Sequence, residues 1–453
     1  MTLPLRGLVA FCSRIVLMQA ATTIAALSSG SLPSGVAIIR LSGPKTFDMV
    51  RALCASLPDP RNLTLKTLRH PDTGLALDQG LVAVFPGPNS FTGEDCAEFQ
   101  VHGSPAGVKA ILSALTDVCG AQLAGAGDFT RRAFENGKLD LTAVEGLGDL
   151  LAAETEAQRR QALSRLEGGL ADQIVVWRNL LLDARAEIEA RLDFSDEDDV
   201  PFALPDHFRS DLITLKTVLG TTLATFERGR IVREGFRVVL AGAPNAGKSS
   251  LLNALAGSDV AIVTAEAGTT RDTKDVAIDL GGQLVTLTDT AGLRETDSLA
   301  EEEGIRRARG AMDSADLVLW LIAPDTESVV SIDTATPVWR LATKSDIGST
   351  KIPTDLTLSV QLGEGIEVLL NRLENHIEGG LGASETSLVS HLRDKVALEM
   401  AMSSIEGALK RIDQPELCAE ELRSAADVLA GLIGLMDNEA VLDRLFSGFC
   451  IGK

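Results

Sequence analysis

The stretch "GFRVVLAGAPNAGKSSLLNALAG", residues 235–257, decides the fold of the central part of the chain. Its apolar start predicts a β-strand, a loop of the pattern GxxxxGK[ST] follows over residues 242–249, and an apolar helix comes next. Glycines let the main-chain N–H groups of such a loop turn inward and cradle phosphate oxygens at the helix N-terminus. Lys248 adds a positive charge, and the Ser249 hydroxyl can bind Mg²⁺. A glycine turn without a ligand is the alternative, but strand, loop and helix all fall where a phosphate-binding loop needs them.

Two downstream motifs supply groups that such a loop needs around a bound triphosphate. Thr270 in "AGTTRD" can offer a second hydroxyl to the same Mg²⁺. The segment "KDVAIDLGGQLVTLTDTAG", residues 274–292, predicts a hairpin that turns at Gly281-Gly282 and brings Asp289 and Gly292 to a strand end. We expect Asp289 to hold the metal through water and the Gly292 N–H to contact the γ-phosphate.

A third motif indicates which base is bound. In "VWRLATKSD", residues 338–346, Asp346 follows a predicted strand and can accept two hydrogen bonds from a guanine edge, while Lys344 covers the ring. Alone, this motif is weak evidence for guanine binding. Because it follows the other motifs in the expected order, it favours GTP over ATP.

Composition limits the class of protein. The chain has 453 residues, 45% of them hydrophobic, and is long enough for several domains. Its net charge of −21 argues against a uniformly basic surface, so any nucleic-acid partner must contact a local patch. The six cysteines form no CxxC pair, which predicts neither a zinc site nor a disulfide framework and fits a reducing cytosol.

The first residues need separate treatment. Residues 1–19 combine arginines with short apolar runs, which Arg14 interrupts. We expect a loose extension, or a true start at Met18, rather than the alternative, an export signal. No later run has the length of a membrane span, so no membrane partner is expected.

Periodicity divides the rest of the chain. Residues 20–125 mix short strand patterns with one helical stretch, and from about Thr142 the pattern is almost wholly helical. Strands and helices alternate from Phe236 onward, and the pattern is helical again after Gly382. This order predicts a helical domain interrupted by an inserted α/β domain.

The motifs together resemble a known family. The phosphate and guanine motifs resemble those of translation-factor-related GTPases. Further signatures are "VAIIRLSG", "FPGPNSFTGEDCAEFQVHG", "GDFTRRAFENGKLDLTAVE" and the terminal "FCIGK". With them, nearly the whole chain resembles the MnmE (TrmE) family of tRNA-modification GTPases.

The resemblance implies a multidomain fold of α/β and α parts. The expected parts are a disordered or mis-set extension at 1–19, an N-terminal α/β folate-binding and dimerisation domain at 20–138, a first helical part at 139–232, an inserted P-loop GTPase domain at 233–380 and a second helical part with the terminal motif at 381–453.

The resemblance also implies a function. The protein is expected to be a cytoplasmic GTPase and homodimer that, with a flavoprotein resembling MnmG, adds a carboxymethylaminomethyl or aminomethyl group to C5 of the wobble uridine of certain tRNAs. A tetrahydrofolate derivative, 5-formyl or 5,10-methylene, would supply the one-carbon unit. FAD is expected only in the partner, because this chain has no FAD fingerprint, and no DNA partner is expected. The alternative is a GTP-switched ribosome-assembly or RNA-binding factor, although such factors usually add a basic RNA-binding domain that this acidic chain lacks.

The implied site residues fall in four groups. The GTP-binding residues are Asn245, Ala246, Gly247, Lys248, Ser249, Ser250, Thr264, Ala265, Glu266, Ala267, Gly268, Thr269, Thr270, Asp289, Thr290, Ala291, Gly292, Thr343, Lys344, Ser345, Asp346, Ser359, Val360 and Gln361. Mg²⁺ would be bound by Ser249 and Thr270, and K⁺ by Asn245, Thr264, Glu266 and Thr269. The folate derivative would be bound by Arg40, Glu98, Lys138 and Lys453, and Glu301 and Cys450 are the implied catalytic residues.

Several of these residues have ordinary alternatives. Leu293 stands where small GTPases similar to Ras use glutamine to orient water, so hydrolysis needs another group. The resemblance implies that this group is Glu301. The alternative is that Glu301 is only one residue of a solvated run of charges. Arg40 and Glu98 could be an ordinary ion pair at strand ends. Cys450 could simply be a small buried apolar residue.

Other positions depart from the family pattern or have a second reading. Thr343 replaces the usual asparagine of the guanine motif, and its hydroxyl can still brace the loop. The turn "GSLPSG" before "VAIIR" replaces a glycine- and arginine-rich one. The side-chain carbonyl of Asn245 can point to the phosphates where an arginine finger would otherwise reach, or the residue could only cap a turn.

Overall fold

The chain folds into two compact units. The computed structural model describes residues 22–193, 204–262, 275–289, 306, 309–326, 334–381, 387–436, 439–449 and 451–452. The first unit comprises Met1–Gly148 and Ile433–Lys453, and the second comprises Asp149–Leu432.

Strands are present in both units. They are β1 (Ile24–Leu27), β2 (Ser34–Ser42), β3 (Thr64–Arg69), β4 (Ala76–Phe85), β5 (Cys96–Gly103), β6 (Gln122–Leu123), β7 (Phe236–Gly242), β8 (Asp275–Leu280), β9 (Gln283–Asp289), β10 (Leu317–Ile322), β11 (Val338–Ala342) and β12 (Leu356–Thr357).

Helices follow in chain order. They are α1 (Thr46–Cys54), α2 (Pro105–Ser113), α3 (Asp128–Glu135), α4 (Leu141–Ala152), α5 (Glu156–Leu166), α6 (Gly169–Asp193), α7 (Asp206–Leu223), α8 (Phe226–Glu234), α9 (Lys248–Ala256), α10 (Ile366–Leu381), α11 (Leu392–Lys410), α12 (Pro415–Leu432) and α13 (Glu439–Ser447). A π-helical turn, Ala114–Val118, continues α2.

The first unit is built on a six-stranded sheet in the order β3-β4-β5-β2-β1-β6. Its strands are antiparallel except for the parallel pair β1 and β6. Strand β2 shows why the sheet forms: Ala37, Ile39 and Leu41 recur at every second position and are fully buried, as expected of one sheet face. They belong to one apolar core with Val50 of α1 and Ile111 of α2.

The second unit contains a sheet in the order β12-β11-β10-β7-β9-β8. All neighbouring pairs are parallel except β8 and β9, which form an antiparallel hairpin closed by Leu280 and Gln283. The turn residues Gly281 and Gly282 have φ values of 58° and 82°, a conformation that glycine adopts without strain. The predicted hairpin at this glycine pair is therefore confirmed. The carboxyl ends of β7, β9, β10 and β11 meet at one edge of the sheet, where ligands of parallel α/β sheets bind.

The other described elements of the second unit are helices. Helix α12 packs against α6 and α11, and α7 packs against α11. The predicted combination of α/β and helical parts agrees with the structure at this level. By packing, residues 433–453 group with the first unit, whereas the sequence-based boundaries place 381–453 in one helical part.

Two further features concern cysteines and membranes. Cys54, Cys96, Cys119 and Cys418 are free thiols, and burial raises the pKa of Cys54 and of Cys418 to about 11. Within the residues that the structure describes, no helix is both long and apolar enough to cross a lipid bilayer.

Candidate functional site

The phosphate-binding motif joins β7 to α9 through a tight loop. Gly242 has a φ of 141°, and a Cβ there would lie 2.4 Å from the Leu321 carbonyl oxygen of the neighbouring strand. Asn245 and Gly247 take φ values of 63° and 95°, so the backbone reverses before the helix begins. The Lys248 ammonium lies inside the loop and donates hydrogen bonds to the carbonyl oxygens of Gly242 and Ala243, both at 2.9 Å.

Ser249 and Asp289 place two oxygen ligands side by side. The Ser249 hydroxyl, in the first turn of α9, donates to Oδ2 of Asp289, at the end of β9, over 2.7 Å. Asp289 is almost fully buried. A hydroxyl and a carboxylate are the donor set that Mg²⁺ prefers, so these residues fit the metal expected from the sequence.

Thr343 connects the guanine motif to the phosphate-binding loop. Its hydroxyl donates to the Ala246 carbonyl oxygen at 2.7 Å and lies 3.3 Å from that of Ile322. The side chain is buried, so the bond is shielded from water. Thr343 thus braces the loop with its hydroxyl, as its place in the sequence suggested.

The other guanine-motif residues are also held in place. Ser359 donates its hydroxyl proton to Oδ1 of Asp346 over 2.6 Å. Lys344 has a φ of 53°, and its ammonium donates to Oδ2 of Asp325 over 2.8 Å. That hydrogen bond holds the pKa of Asp325 below its usual range. Sequence analysis did not single out Asp325, which lies in the loop after β10.

A second candidate site lies in the first unit. It is a cavity of about 220 Å³ lined by Arg40, Arg61, Phe85, Asn89, Ser90, Phe91, Cys96 and Glu98. Arg40 of β2 and Glu98 of β5 are direct cross-strand neighbours, and the Arg40 Nη2 and Nε atoms lie 3.0 and 3.1 Å from Oε1 of Glu98. The guanidinium carbon of Arg40 also lies 5.5 Å from the centre of the Phe91 ring. The cavity therefore combines charge with an aromatic wall.

Helix α3 holds the loop that lines this cavity. Arg132 donates to Oε2 of Glu94 over 2.8 Å and to the Thr22 carbonyl oxygen over 2.9 Å. Ser42 Oγ lies 2.7 Å from the Thr92 hydroxyl and from the same Glu94 oxygen. Residues 86–95 are thereby tied to α3 and β2.

The end of the chain returns to the same cavity wall. The Gly452 carbonyl oxygen accepts a hydrogen bond from Ser28 Oγ at 2.9 Å and one from Arg40 Nη1 at 3.4 Å. Ile451 forms an antiparallel bridge with Ala126. The terminal motif and Arg40 are therefore neighbours, although more than 400 residues separate them in sequence.

The structure brings together part of the predicted GTP-binding set and part of the predicted folate-binding set. Ser345 donates its main-chain N–H to the Leu358 carbonyl oxygen at 3.3 Å, and Ser250 lies on α9. Val360 and Gln361 directly follow the buried Ser359. Lys138 lies beside Gly93 and does not line the cavity. Outside the described residues lie Thr264, Ala265, Glu266, Ala267, Gly268, Thr269, Thr270, Thr290, Ala291, Gly292, Glu301, Cys450 and Lys453.

Sequence reasoning did not identify six cavity residues, namely Arg61, Phe85, Asn89, Ser90, Phe91 and Cys96. Five of them lie in "FPGPNSFTGEDCAEFQVHG", which was recognised only as a signature and was not assigned to a cavity. Arg61 lies outside every quoted motif.

Comparison with known proteins identifies the family. The family model "MnmE helical domain" matches residues 141–450, and "GTP-binding protein TrmE N-terminus" matches residues 23–138. The chain belongs to the MnmE family. The resemblance inferred from the motifs is thus confirmed.

Curated relatives cover nearly the whole chain. The tRNA modification GTPase MnmE of Brucella canis is 48% identical over 436 residues, which are 95% of this chain and 98% of the relative. The protein of the same description from Azorhizobium caulinodans is 47% identical over 96% of this chain and 100% of the relative.

Solved structures show shorter matches. Aquifex aeolicus Era bound to GDP and aluminium fluoride is 21% identical and covers 37% of this chain and 67% of that chain, with a TM-score of 0.24. The G domain of the Thermotoga maritima FeoB iron transporter is 27% identical and covers 30% and 96%, with a TM-score of 0.23.

Proposed function

We propose that this protein hydrolyses GTP and acts in tRNA modification, adding a carboxymethylaminomethyl or aminomethyl group to C5 of the wobble uridine. A flavoprotein resembling MnmG would be its partner and would carry the FAD. The observation that carries the proposal is the connection of Thr343 to Ala246, because it joins a guanine motif to a phosphate-binding loop in a member of this family. The relatives' description as tRNA modification GTPases supports the same activity.

In this proposal, each residue of the nucleotide site has a role around a bound GTP. The Lys248 ammonium and the loop N–H groups bind phosphate oxygens, and Asp346 and Lys344 recognise guanine. Ser249 and Thr270 would bind Mg²⁺, Asp289 would hold it through water, and the ion would neutralise phosphate charge.

Hydrolysis needs another group to orient water, because the Leu293 side chain has no polar atom. We assign that role to Glu301. Asn245, with Thr264, Glu266 and Thr269, would bind K⁺, and hydrolysis would accelerate when the GTPase domains of a homodimer meet. The φ of 63° at Asn245 supports a special role for this loop position.

The cavity in the first unit is the proposed site for a 5-formyl or 5,10-methylene tetrahydrofolate derivative. Arg40 and Glu98 would bind it with Lys138 and Lys453, and its position beside the terminal motif supports a catalytic role for Cys450 in tRNA modification. The protein would act in the cytoplasm.

Nucleoside analysis tests this function. Bulk tRNA is compared by mass spectrometry between cells that lack the gene and the same cells supplied with the unmodified protein or with Cys450→Ser. We expect the modified wobble uridine to disappear without the protein and to return only with the unmodified chain. Normal wobble modification with abnormal ribosomal subunit profiles in the deletion strain would instead identify a ribosome-assembly factor.

A further inference from the structure

Arg61 has a left-handed backbone conformation. In the part of the chain that the structure describes, four non-glycine residues have left-handed φ values, namely Ala55, Arg61, Asn245 and Lys344 at 61°, 64°, 63° and 53°. Ala55 follows the end of α1, where this conformation is common. Asn245 and Lys344 lie in the two loops of the nucleotide site. Arg61 is the third residue of the turn Asp59–Asn62, which the Asn62 N–H closes on the Asp59 carbonyl oxygen at 3.1 Å, and type II turns take a left-handed φ at that place. This turn brings Arg61 to the wall of the second cavity.

Neighbouring groups keep Arg61 turned toward the cavity. Its N–H donates to the Val84 carbonyl oxygen of β4 at 2.9 Å, which ties the turn to the sheet. The guanidinium carbon lies 6.0 Å from the centre of the Phe85 ring, and Nη2 donates to the Asn89 carbonyl oxygen. The side chain is thus oriented by an aromatic face and a neutral acceptor.

The charges of the cavity wall do not balance. Its charged residues are Arg40, Arg61 and Glu98. Glu98 forms an ion pair with Arg40, whereas no described carboxylate forms an ion pair with Arg61. The wall therefore carries one excess positive charge, located on Arg61, in a chain whose net charge is −21. An anionic group can pair with that guanidinium through its remaining N–H donors.

We propose that Arg61 binds a carboxylate of the cavity's ligand and so selects ligands that join a flat ring to a carboxylate. The inference rests on the proposed function of this cavity, and for a tetrahydrofolate derivative the group bound would be a carboxylate of its glutamate part. Phe85 and Phe91 supply the apolar surface against which the ring would pack.

The test measures ligand binding to the full-length protein by calorimetry. The probes are 5-formyltetrahydrofolate and 5-formyltetrahydropterin, which lacks the aminobenzoyl-glutamate part and its carboxylates. Arg61→Gln should weaken binding of the folate by about tenfold and of the pterin by less than about twofold, since a charge-assisted hydrogen bond is lost only for the folate. Arg61→Lys should restore part of the affinity.

Arg69→Gln is the matched control. Arg69 also donates to a carbonyl oxygen, that of Gly74 at 3.1 Å, and it does not line the cavity. Its substitution should leave both affinities unchanged. Basal GTP hydrolysis, whose loops lie in the second unit, should be equal in all variants. Retained pterin affinity in Arg61→Gln shows that the cavity of the first unit is intact.

If the unmodified protein binds folate, three results would overturn the inference. They are an unchanged folate affinity in Arg61→Gln, an equal loss for folate and pterin, and equal affinities of the two probes for the unmodified protein. The last comparison needs no substitution. Absence of folate binding to the unmodified protein would also overturn it, together with the folate part of the proposed function, whereas the nucleoside analysis tests the tRNA-modification activity separately.

Discussion

At the scale of single residues, Thr343 shows how one hydroxyl connects two binding loops. Thr343→Val keeps the shape of the side chain and leaves the Ala246 carbonyl without its donor. A lost buried hydrogen bond costs about 1 kcal/mol, so we expect affinity for GDP to fall by about fivefold. Titration with a fluorescent GDP measures this.

The control for that prediction is Thr326→Val. The Thr326 hydroxyl also donates to a carbonyl oxygen, that of Ala323 at 2.8 Å, but this bond stays within one loop. Equal GDP affinities of Thr343→Val and the control would show that the hydroxyl does not brace the site.

Sequence reasoning identified Thr343 because a motif fixes its place relative to the phosphate-binding loop. It could not identify Asp325 or Arg61. Each acts through a contact with a segment distant in sequence, Asp325 with Lys344 and Arg61 with Asn89. Exposed charged residues in loops follow no periodic pattern in the sequence, and most of them only contact solvent, so the sequence does not distinguish these two.

At the scale of elements, α5 forms hydrogen bonds to the segment before β7 and to the segment after α10. Gln158 Nε2 donates to the Arg233 carbonyl oxygen at 2.9 Å, just before β7 begins. Gln161 Nε2 donates to the carbonyl oxygens of Gly229 at 3.1 Å and Ser387 at 2.7 Å, the latter on the returning segment. The helical pattern of this region was predictable. Its buried polar face was not, because "EAQRRQALSRL" has the composition of a solvated helix.

Arg165 of α5 completes this polar face with a fully buried ion pair to Asp394 of α11, at 2.7 Å. Burial acts to raise the pKa of the Asp394 carboxyl, but the adjacent guanidinium outweighs it and holds that pKa below its usual range. Asp394→Asn removes the Asp394 negative charge from beside a buried guanidinium, so we expect a loss of about 3 kcal/mol in the free energy of unfolding at pH 7.

The pH dependence of that loss follows from the direction of the shift. A carboxyl whose pKa is lower in the folded state stabilises the fold above its unfolded pKa of about 4, and this stabilisation is lost as the pH falls further. Thermal unfolding midpoints of the unmodified protein and Asp394→Asn should therefore converge below about pH 4. Asp211→Asn, an exposed carboxylate on α7, is the control. A difference between the midpoints that is independent of pH would exclude the ion pair as its cause.

At the scale of the whole molecule, the proposed homodimer predicts a dependence on potassium. Hydrolysis should be much faster in KCl than in NaCl at equal ionic strength, because the smaller Na⁺ fits a K⁺ site poorly. Asn245→Ala should abolish that difference while GTP binding persists. Equal rates of the unmodified protein in both salts would remove the ion from the mechanism.

The return of the chain's end to its first sheet gives the last prediction. Gly452 has a φ of 94°, and a Cβ there would lie 2.4 Å from the Leu27 carbonyl oxygen and 2.7 Å from Ser28 Cα. Gly452→Ala should therefore displace the terminal motif from Arg40, whereas Gly30→Ala, with no atom within 4 Å of its Cβ, is a control in the same unit. We expect Gly452→Ala to lose wobble modification in cells while the purified protein hydrolyses GTP normally, because the motif and the nucleotide loops belong to different units. Full modification in Gly452→Ala would mean that the reaction does not need the terminal motif at this wall.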